Sequence, residues 1–336
     1  MLGSFFSRFR VLIVLLAATV SSQVYAKDTL EIGYMPILPV SQLFVGLDQG
    51  FLDELDVELK LVQFQNGPAM VQAILGGQLD VAHFGIGPAM VARGKGADIK
   101  VVASSIVEQI SIVTLGKLAP YFQNGDHKTA FARFKADTGR KPVITTFPVG
   151  SVPETVLQYW LRKQLGIDPN EIDIIYQGAA QVQQALLTGA VDGAAILEPA
   201  VTIVTSKNSD AKVVARGAEL FPRQPGAILA VREGLINDKP DLVKTLVASH
   251  KKSTQMLNNE DASTVKAVQK YVGGGRLSEE LIKKAIAGSK DNFVADPNFI
   301  LDGTRTMHDF QEEIGTLKAK VDIDALFDLS FYEAIK

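Results

Sequence analysis

Slid along itself by 112 positions, the chain aligns residues 32–103 with residues 144–215 without a gap, and 17 of the 72 aligned positions are identical. The pairs include Pro36 with Pro148, Gln65 with Gln177, Leu75 with Leu187, Gly77 with Gly189 and Asp80 with Asp192. Lys100-Val101-Val102-Ala103 repeats letter for letter as Lys212-Val213-Val214-Ala215. A duplicated unit of this size restricts the chain to two similar lobes or to two halves of one sheet.

Each copy reads as alternating strand and helix. In the first, Leu30–Tyr34, Val57–Phe64, Val81–Phe84 and Ile99–Ala103 are strands, separated by helices over Ser41–Gly50, Pro68–Leu75 and Pro88–Arg93. The second runs Val143–Thr146, Pro153–Leu165, Ile172–Tyr176, Ala180–Leu187, Gly193–Leu197 and Ala211–Ala215 in the same roles. Short Val/Ile/Leu runs between helices predict a mostly parallel sheet covered on both faces. Gly77 and Gly189 suit the left-handed residue that ends a helix. Asp80 and Asp192 then fall in the turn before the next strand, where a short carboxylate accepts backbone N–H groups, a structural role rather than a catalytic one. Residues 104–116 and 224–232 are apolar, extended stretches suited to crossing between lobes as a hinge, which favours two lobes over one sheet. From about Pro240 the chain is helical: Leu242–Leu257, Ser263–Val272, Ser278–Ser289 and Met307–Lys318. Gly273-Gly274-Gly275 has no strand before it and no Lys-Ser/Thr after it, so it reads as a turn between helices with Ser278 as N-cap, not a phosphate loop.

The first 26 residues are set aside from the fold. Arg8 and Arg10 precede a ten-residue apolar run, Val11 to Val20, and Val24-Tyr25-Ala26 fits the small-residue pattern before a cleavage point. This is the pattern of a secretory signal, too short in its apolar core to span a bilayer. Its removal moves the formal charge from −3 to −5, an acidic balance that argues against nucleic acid or anionic lipid as partner. The absence of Cys excludes disulfides, thiolate metal sites and Cys nucleophiles.

Enzyme motifs are missing as well. The four His residues (His83, His127, His250, His308) show no metal-site spacing, and no nucleophile elbow or nucleotide loop occurs. Gly85-Ile86-Gly87 lacks the third Gly of a dinucleotide loop. Neither cofactor nor metal is expected. Trp160, beside Tyr159 and Leu161, reads as core.

In open α/β sheets ligands bind beyond the carboxyl ends of the strands, and the repeat marks those ends twice. The candidate ligand contacts are Pro39, Ser41, Gln65, Asn66, Gly85 and Ile86 in the first copy. In the second they are Phe147, Gly150, Ser151, Gln177 and Glu198. Most of these segments precede a helix, so free N–H groups and the positive dipole end favour an anionic group. Gly150-Ser151 reads equally as loop and N-cap, and Gln65 with Gln177 equally as a shared structural bond. Glu198 interrupts the apolar stretch 194–200; it either binds an ammonium group or closes a salt bridge across the cleft to Arg216.

Phe64-Gln65-Asn66-Gly67 through Leu79-Asp80, then Gly85-Ile86-Gly87-Pro88-Ala89, resemble the sulfonate/nitrate/taurine group of ABC-transporter solute-binding proteins. Phe147–Glu154, Val191-Asp192 through Glu198-Pro199-Ala200, and the closing Val321-Asp322-Ile323-Asp324 with Phe327-Asp328 extend the resemblance over essentially the whole mature chain. It implies a type II periplasmic-binding-protein fold with two hinge crossings and ligand held between the lobes. Residues 27–108 and 229–336 then form lobe 1 with the C-terminal helices, and 109–228 form lobe 2. It further implies a periplasmic monomer that is not an enzyme and hands a sulfonate or taurine-like anion to a membrane permease. Nitrate, bicarbonate and thiamine-related pyrimidines are the alternative ligands within the group. Glu198 stands where a small residue or an aromatic-Asp pair is common, which counts against simple nitrate and leaves room for a zwitterion. The rival from another class is an exported enzyme using Glu198 or Glu108 as acid or base.

Overall fold

The structure, a computed structural model, describes residues 28–123 and 125–336; the expected signal segment, 1–26, lies outside the described residues. Its ten strands are β1 (Asp28–Tyr34), β2 (Val57–Gln63), β3 (Val81–Gly85), β4 (Ile99–Ser104), β5 (Ser111–Thr114), β6 (Val143–Thr146), β7 (Asp173–Tyr176), β8 (Gly193–Ile196), β9 (Lys212–Arg216) and β10 (Ala227–Arg232). They form two five-stranded sheets, ordered β2-β1-β3-β10-β4 and β7-β6-β8-β5-β9. Each sheet is the core of one lobe of a periplasmic-binding-protein fold.

The helices of the first copy are α1 (Ser41–Asp48), α2 (Gly67–Leu75) and α3 (Ile86–Gly94). Lobe 2 carries α4 (His127–Thr138), α5 (Val152–Tyr159), α6 (Ala179–Thr188) and α7 (Ala200–Lys207). After β10 follow α8 (Glu233–Asp238), α9 (Pro240–Asn258), α10 (Ala262–Tyr271), α11 (Glu279–Ala287) and α12 (Leu301–Glu313). Two single-turn helices, Ile323–Leu326 and Ser330–Glu333, end the chain. Among the described residues no helix is long and apolar enough to cross a membrane.

The duplication is visible in three dimensions. Gly77 and Gly189 both take the left-handed conformation, φ 69° and 68°. Asp80 accepts the N–H of Glu31 at 2.9 Å, and Asp192, 112 positions on, accepts that of Val143 at 2.8 Å. Both carboxylates also pair with an arginine, Asp80 with Arg232 and Asp192 with Arg140. At Asp192 burial pushes the pKa up, but the bonds from Arg140 and the Val143 N–H outweigh it and hold the carboxyl below its ordinary range.

The two apolar connecting stretches do more than cross. Each ends in a strand that inserts antiparallel into a sheet otherwise built from parallel pairs: β5 between β8 and β9, β10 between β3 and β4. The insertions match even in their irregularity. Ala103 pairs with Leu229 and Val101 with Ala230, passing over Val102; Ala215 pairs with Ile112 and Val213 with Val113, passing over Val214. Every residue of β5 and β10 except Ser111 and Arg232 is buried, which explains the apolar sequence of both stretches. Between lobes the two crossings touch at Val107 and Pro225.

Helix α12 lies across both lobes. Gln311 donates to Thr155 Oγ1 at 2.8 Å, both residues being fully buried, and Phe310 packs edge-on against Tyr159 with ring centroids 5.0 Å apart. Trp160 is buried in lobe 2 among Phe122, His127 and Phe131.

Candidate functional site

The lobes meet through loops that are equivalent in the duplication. The Leu38 N–H donates to the carbonyl of Glu198, and the Ala179 N–H to that of Gln65, both at 3.2 Å. Shifted by 112 positions, the first contact becomes Gly150 with Ile86, and there the chains approach just as closely. A Cβ added at Gly87 would lie 3.0 Å from the Gly150 carbonyl oxygen, and one at Gly85 would lie 2.8 Å from Val152 Cγ2. The cleft therefore has an approximate twofold axis, and its glycines permit contact at backbone distance.

Helices α2, α3 and α5 begin at this junction. Asn66 caps α2 by accepting the Ala69 N–H at 2.8 Å, and Ser151 caps α5 by accepting the Glu154 N–H at 3.5 Å. Glu154 reaches back to accept the Gly150 N–H at 3.2 Å, a reciprocal arrangement that fixes the loop at Gly150, φ 86°. Burial pushes the Glu154 carboxyl up to about 7, against the lowering effects of the Gly150 N–H, Arg162 and Gln158.

On the axis lies a small void of about 30 Å³. Gly67, Gly85, Phe147, Ser151 and Leu197 line it from the two lobes, and Gln109 reaches it from the first crossing. No charged side chain lines it. The Gln109 side-chain amide makes no hydrogen bond among the described residues, and its Oε1 is buried. Leaving such a group unpaired costs about 1–3 kcal/mol, so it is a polar contact held ready for something that enters the cleft. Larger cavities flank the void, one of about 570 Å³ and one of about 330 Å³. Three walls of the 570 Å³ cavity, Ile37, Phe147 and Leu197, are shared with the void.

Of the residues read from sequence, Gly85, Phe147 and Ser151 surround the void, Gln65 lines the larger flanking cavity and Gly150 the smaller. The others have structural partners. Ser41 donates to the Leu38 carbonyl at 2.6 Å, Pro39 is buried in the short helix Leu38–Val40, and Ile86 is fully buried. Gln177 accepts the Thr145 hydroxyl at 3.0 Å. Glu198 faces back along its own helix, accepting the N–H and the hydroxyl of Thr202, each at 3.0 Å. Burial raises its pKa; the Thr202 bonds, Arg216 and Lys284 pull the other way. Its carboxylate thus caps α7, while Arg216 is exposed to solvent. Gln109 escaped the sequence reading. With Glu108 it is one of the two long polar side chains in the apolar and hydroxyl-bearing stretch 104–116, which is the signal that marks it.

Among the described residues one His/carboxylate group has metal-like spacing: His308, Asp309 and Glu312. His308 Nε2 accepts the Val321 N–H at 3.0 Å, so the ring proton sits on Nδ1, directed at Asp309 Oδ1 3.0 Å away. With one nitrogen accepting and the other protonated, the ring has no lone pair for an ion. It pins the C-terminal segment to α12.

The family model described as the NMT1-like family matches residues 25–272. A bicarbonate transport ATP-binding protein, CmpC of Synechocystis, is 27% identical over 234 residues, which is 66% of this chain and 34% of that protein. The chain thus spans about a third of the length of that relative. Among solved structures, the alkanesulfonate-binding protein SsuA from Xanthomonas axonopodis bound to MOPS superposes with a TM-score of 0.73 at 18% identity, covering 90% of this chain and 98% of the other. The periplasmic nitrate-binding protein NrtA from Synechocystis superposes with a TM-score of 0.77 at 14% identity, covering 92% and 88%. At these identities the likeness shows a shared fold.

Proposed function

The chain belongs to the NMT1-like family, and on that premise we propose that it is the substrate-binding component of an ABC importer. It closes its two lobes on a small organic anion, an alkyl or aryl sulfonate, and presents it to a membrane permease. Residues 1–26 direct its export to the periplasm, where it works as a monomer. The moving bodies are those expected from sequence, 27–108 with 229–336 and 109–228, with the second boundary drawn back to 226 so that β10 stays whole in the sheet of lobe 1.

The observation that carries this reading is the void on the cleft axis. Helix N-termini from both lobes converge on it, Gln109 supplies an unpaired amide, and no carboxylate lines it. Oriented peptide dipoles favour a negative head group there without any cationic side chain. Glu198 is turned onto Thr202 and offers no seat for an ammonium. The preference therefore runs to plain sulfonates over taurine. A void of about 30 Å³ holds a water or two, so a sulfonate head requires the lobes to part along the hinge. That small size favours a second reading, a nitrate- or bicarbonate-sized ion, in keeping with the bicarbonate transport relative.

Catalysis at the void finds little support in the side chains. Its one hydroxyl, Ser151, is the α5 cap, and Glu198 is occupied by Thr202. A thermal-shift panel of methanesulfonate, benzenesulfonate, taurine, nitrate and bicarbonate tests the proposal. A ligand at a hundred times its Kd stabilises by about 2.7 kcal/mol. A shift with sulfonates supports the main reading, a shift with nitrate or bicarbonate alone transfers it to the second, and silence across the panel removes both.

A further inference from the structure

The two flanking cavities are copies of one another. Offset by 112 positions, Gln72 and Lys95 of the smaller correspond to Gln184 and Lys207 of the larger. They differ in size, about 330 against about 570 Å³, and in their walls. The first has Pro68 and Pro88 where the second has Ala180 and Ala200, and segment 316–319 closes the first whereas residues 271–277 border the second. The larger cavity shares three walls with the axial void, whereas the smaller shares only Pro88. The larger of the two equivalent chambers is thus a side arm of the cleft.

The charge of that arm is one-sided. Lys207 and Arg276 are its only charged lining residues, and neither side chain has a hydrogen bond or ion pair among the described residues. They come from different lobes. Lys207 ends α7 of lobe 2, whereas Arg276 follows α10, whose Tyr271 stacks on Phe44 of lobe 1 at 4.9 Å. The turn that presents Arg276 is Gly273-Gly274-Gly275, all three left-handed at φ 65°, 63° and 72°. Three such residues in succession are open only to glycine. A Cβ at Gly273 would in addition lie 2.5 Å from Leu277.

We infer that this chamber is a second anion subsite, in which Lys207 and Arg276 clasp the distal acidic group of an elongated ligand whose head lies on the cleft axis. The inference rests on the proposed binding of organic anions and narrows it to molecules with an acidic group at each end. Because the two cations belong to different lobes, the distal group also ties the lobes together.

Calorimetric titration of the mature chain with 4-sulfobenzoate and benzenesulfonate tests this, since the two share a head and a ring and differ in the distal carboxylate. Two partly exposed ion pairs correspond to roughly tenfold tighter binding of 4-sulfobenzoate. That preference is expected to vanish in Lys207→Gln/Arg276→Gln and to persist in Lys95→Gln, the equivalent position of the other chamber. Equal affinity for the two compounds, or a preference that survives the double substitution, overturns the subsite while leaving the binding-protein reading standing. A preference lost in Lys95→Gln overturns the assignment of the chamber. Failure of both compounds to bind removes the organic-anion reading and the subsite with it.

Discussion

Gly87→Ala separates closure of the lobes from stability of each lobe. The added methyl meets Gln311 Nε2 and the Gly150 carbonyl oxygen, each at 3.0 Å. Neither yields easily: Gln311 is fully buried and bonded to Thr155, and Gly150 is held by Glu154. Contacts this short require movement of a few tenths of an ångström, and overpacking of that kind costs about 1–3 kcal/mol. The Gly150 contact exists only in the closed state, because Gly150 belongs to the opposite lobe. Gln311 shares the lobe of Gly87, but its amide is held in place by Thr155 of the other lobe, so opening frees it to turn away. Taking about 2 kcal/mol, ligand affinity falls roughly thirtyfold. Within α3 itself alanine is the better helix former by up to about 1 kcal/mol, and Gly87 does not need a left-handed backbone. The ligand-free melting temperature is therefore expected to hold or rise while affinity drops. Titration calorimetry with benzenesulfonate reads the first quantity, calorimetric melting the second, and small-angle scattering with ligand shows whether the population shifts to a more open form. Gly234→Ala in α8, where a Cβ meets nothing within 4 Å, is the control. Unchanged affinity in Gly87→Ala refutes the reasoning, as does a lowered ligand-free melting temperature.

Other perturbations address separate residues. Glu154 is raised by burial from 4.5 to about 7, so the folded chain holds its proton more tightly than the unfolded chain. The associated stability is present below about pH 4.5 and is lost as pH rises through 7, a loss of about 3 kcal/mol. Glu154→Gln is expected to exceed the parent in urea midpoint by a margin that grows across that window, and parallel curves refute this. His250 behaves oppositely, since burial lowers it from 6.5 to about 4 and its stability is lost as pH falls from 6.5 toward 4. Its Nε2–H donates to the Ser104 carbonyl at 2.7 Å, and the ring of His83, also lowered by burial, stacks 5.8 Å away. His250→Gln should flatten the acid limb of the stability curve, and an unaltered limb would place the acid sensitivity elsewhere. Gln109→Leu removes an unpaired amide from the void; the expected result is at least about tenfold weaker sulfonate binding with no loss of ligand-free stability. Equal affinity in that variant would show that Gln109 faces no ligand.

What the sequence revealed was local or repeated. Asp80 and Asp192 were legible as turn carboxylates because the residue type, the preceding glycine and the duplication all agreed, and both accept the backbone N–H groups that turn chemistry requires. The strand ends also fell near their observed places, since parallel core strands read as short apolar runs. By contrast, β5 and β10 read only as apolar crossings. Periodicity reports burial but not which sheet supplies the neighbours, and pairing with β8, β9, β3 and β4 is a long-range choice. Helices α4 and α7 were missed as well. The site was legible as a set of loops, not as a set of side chains. Whether Glu198 faces the cleft or its own helix turns on Thr202, four residues on, and the flanking chambers are told apart partly by walls from outside the repeat, residues 316–319 at one and 271–277 at the other.

The antiparallel strands also impose a timetable on assembly. A chain that emerges amino-end first, from a ribosome or a translocation pore, has released all five strands of lobe 2 once Arg216 is out. Lobe 1 started earlier and finishes later. Its β3 and β4 are not neighbours and stay unjoined until Ala227–Arg232 arrives to lie between them. Through that interval the amino-terminal half carries two strand edges with no mate, the exposure that invites mispairing. The sheet that begins first is therefore the last to close, and its completion waits on the far end of the same chain.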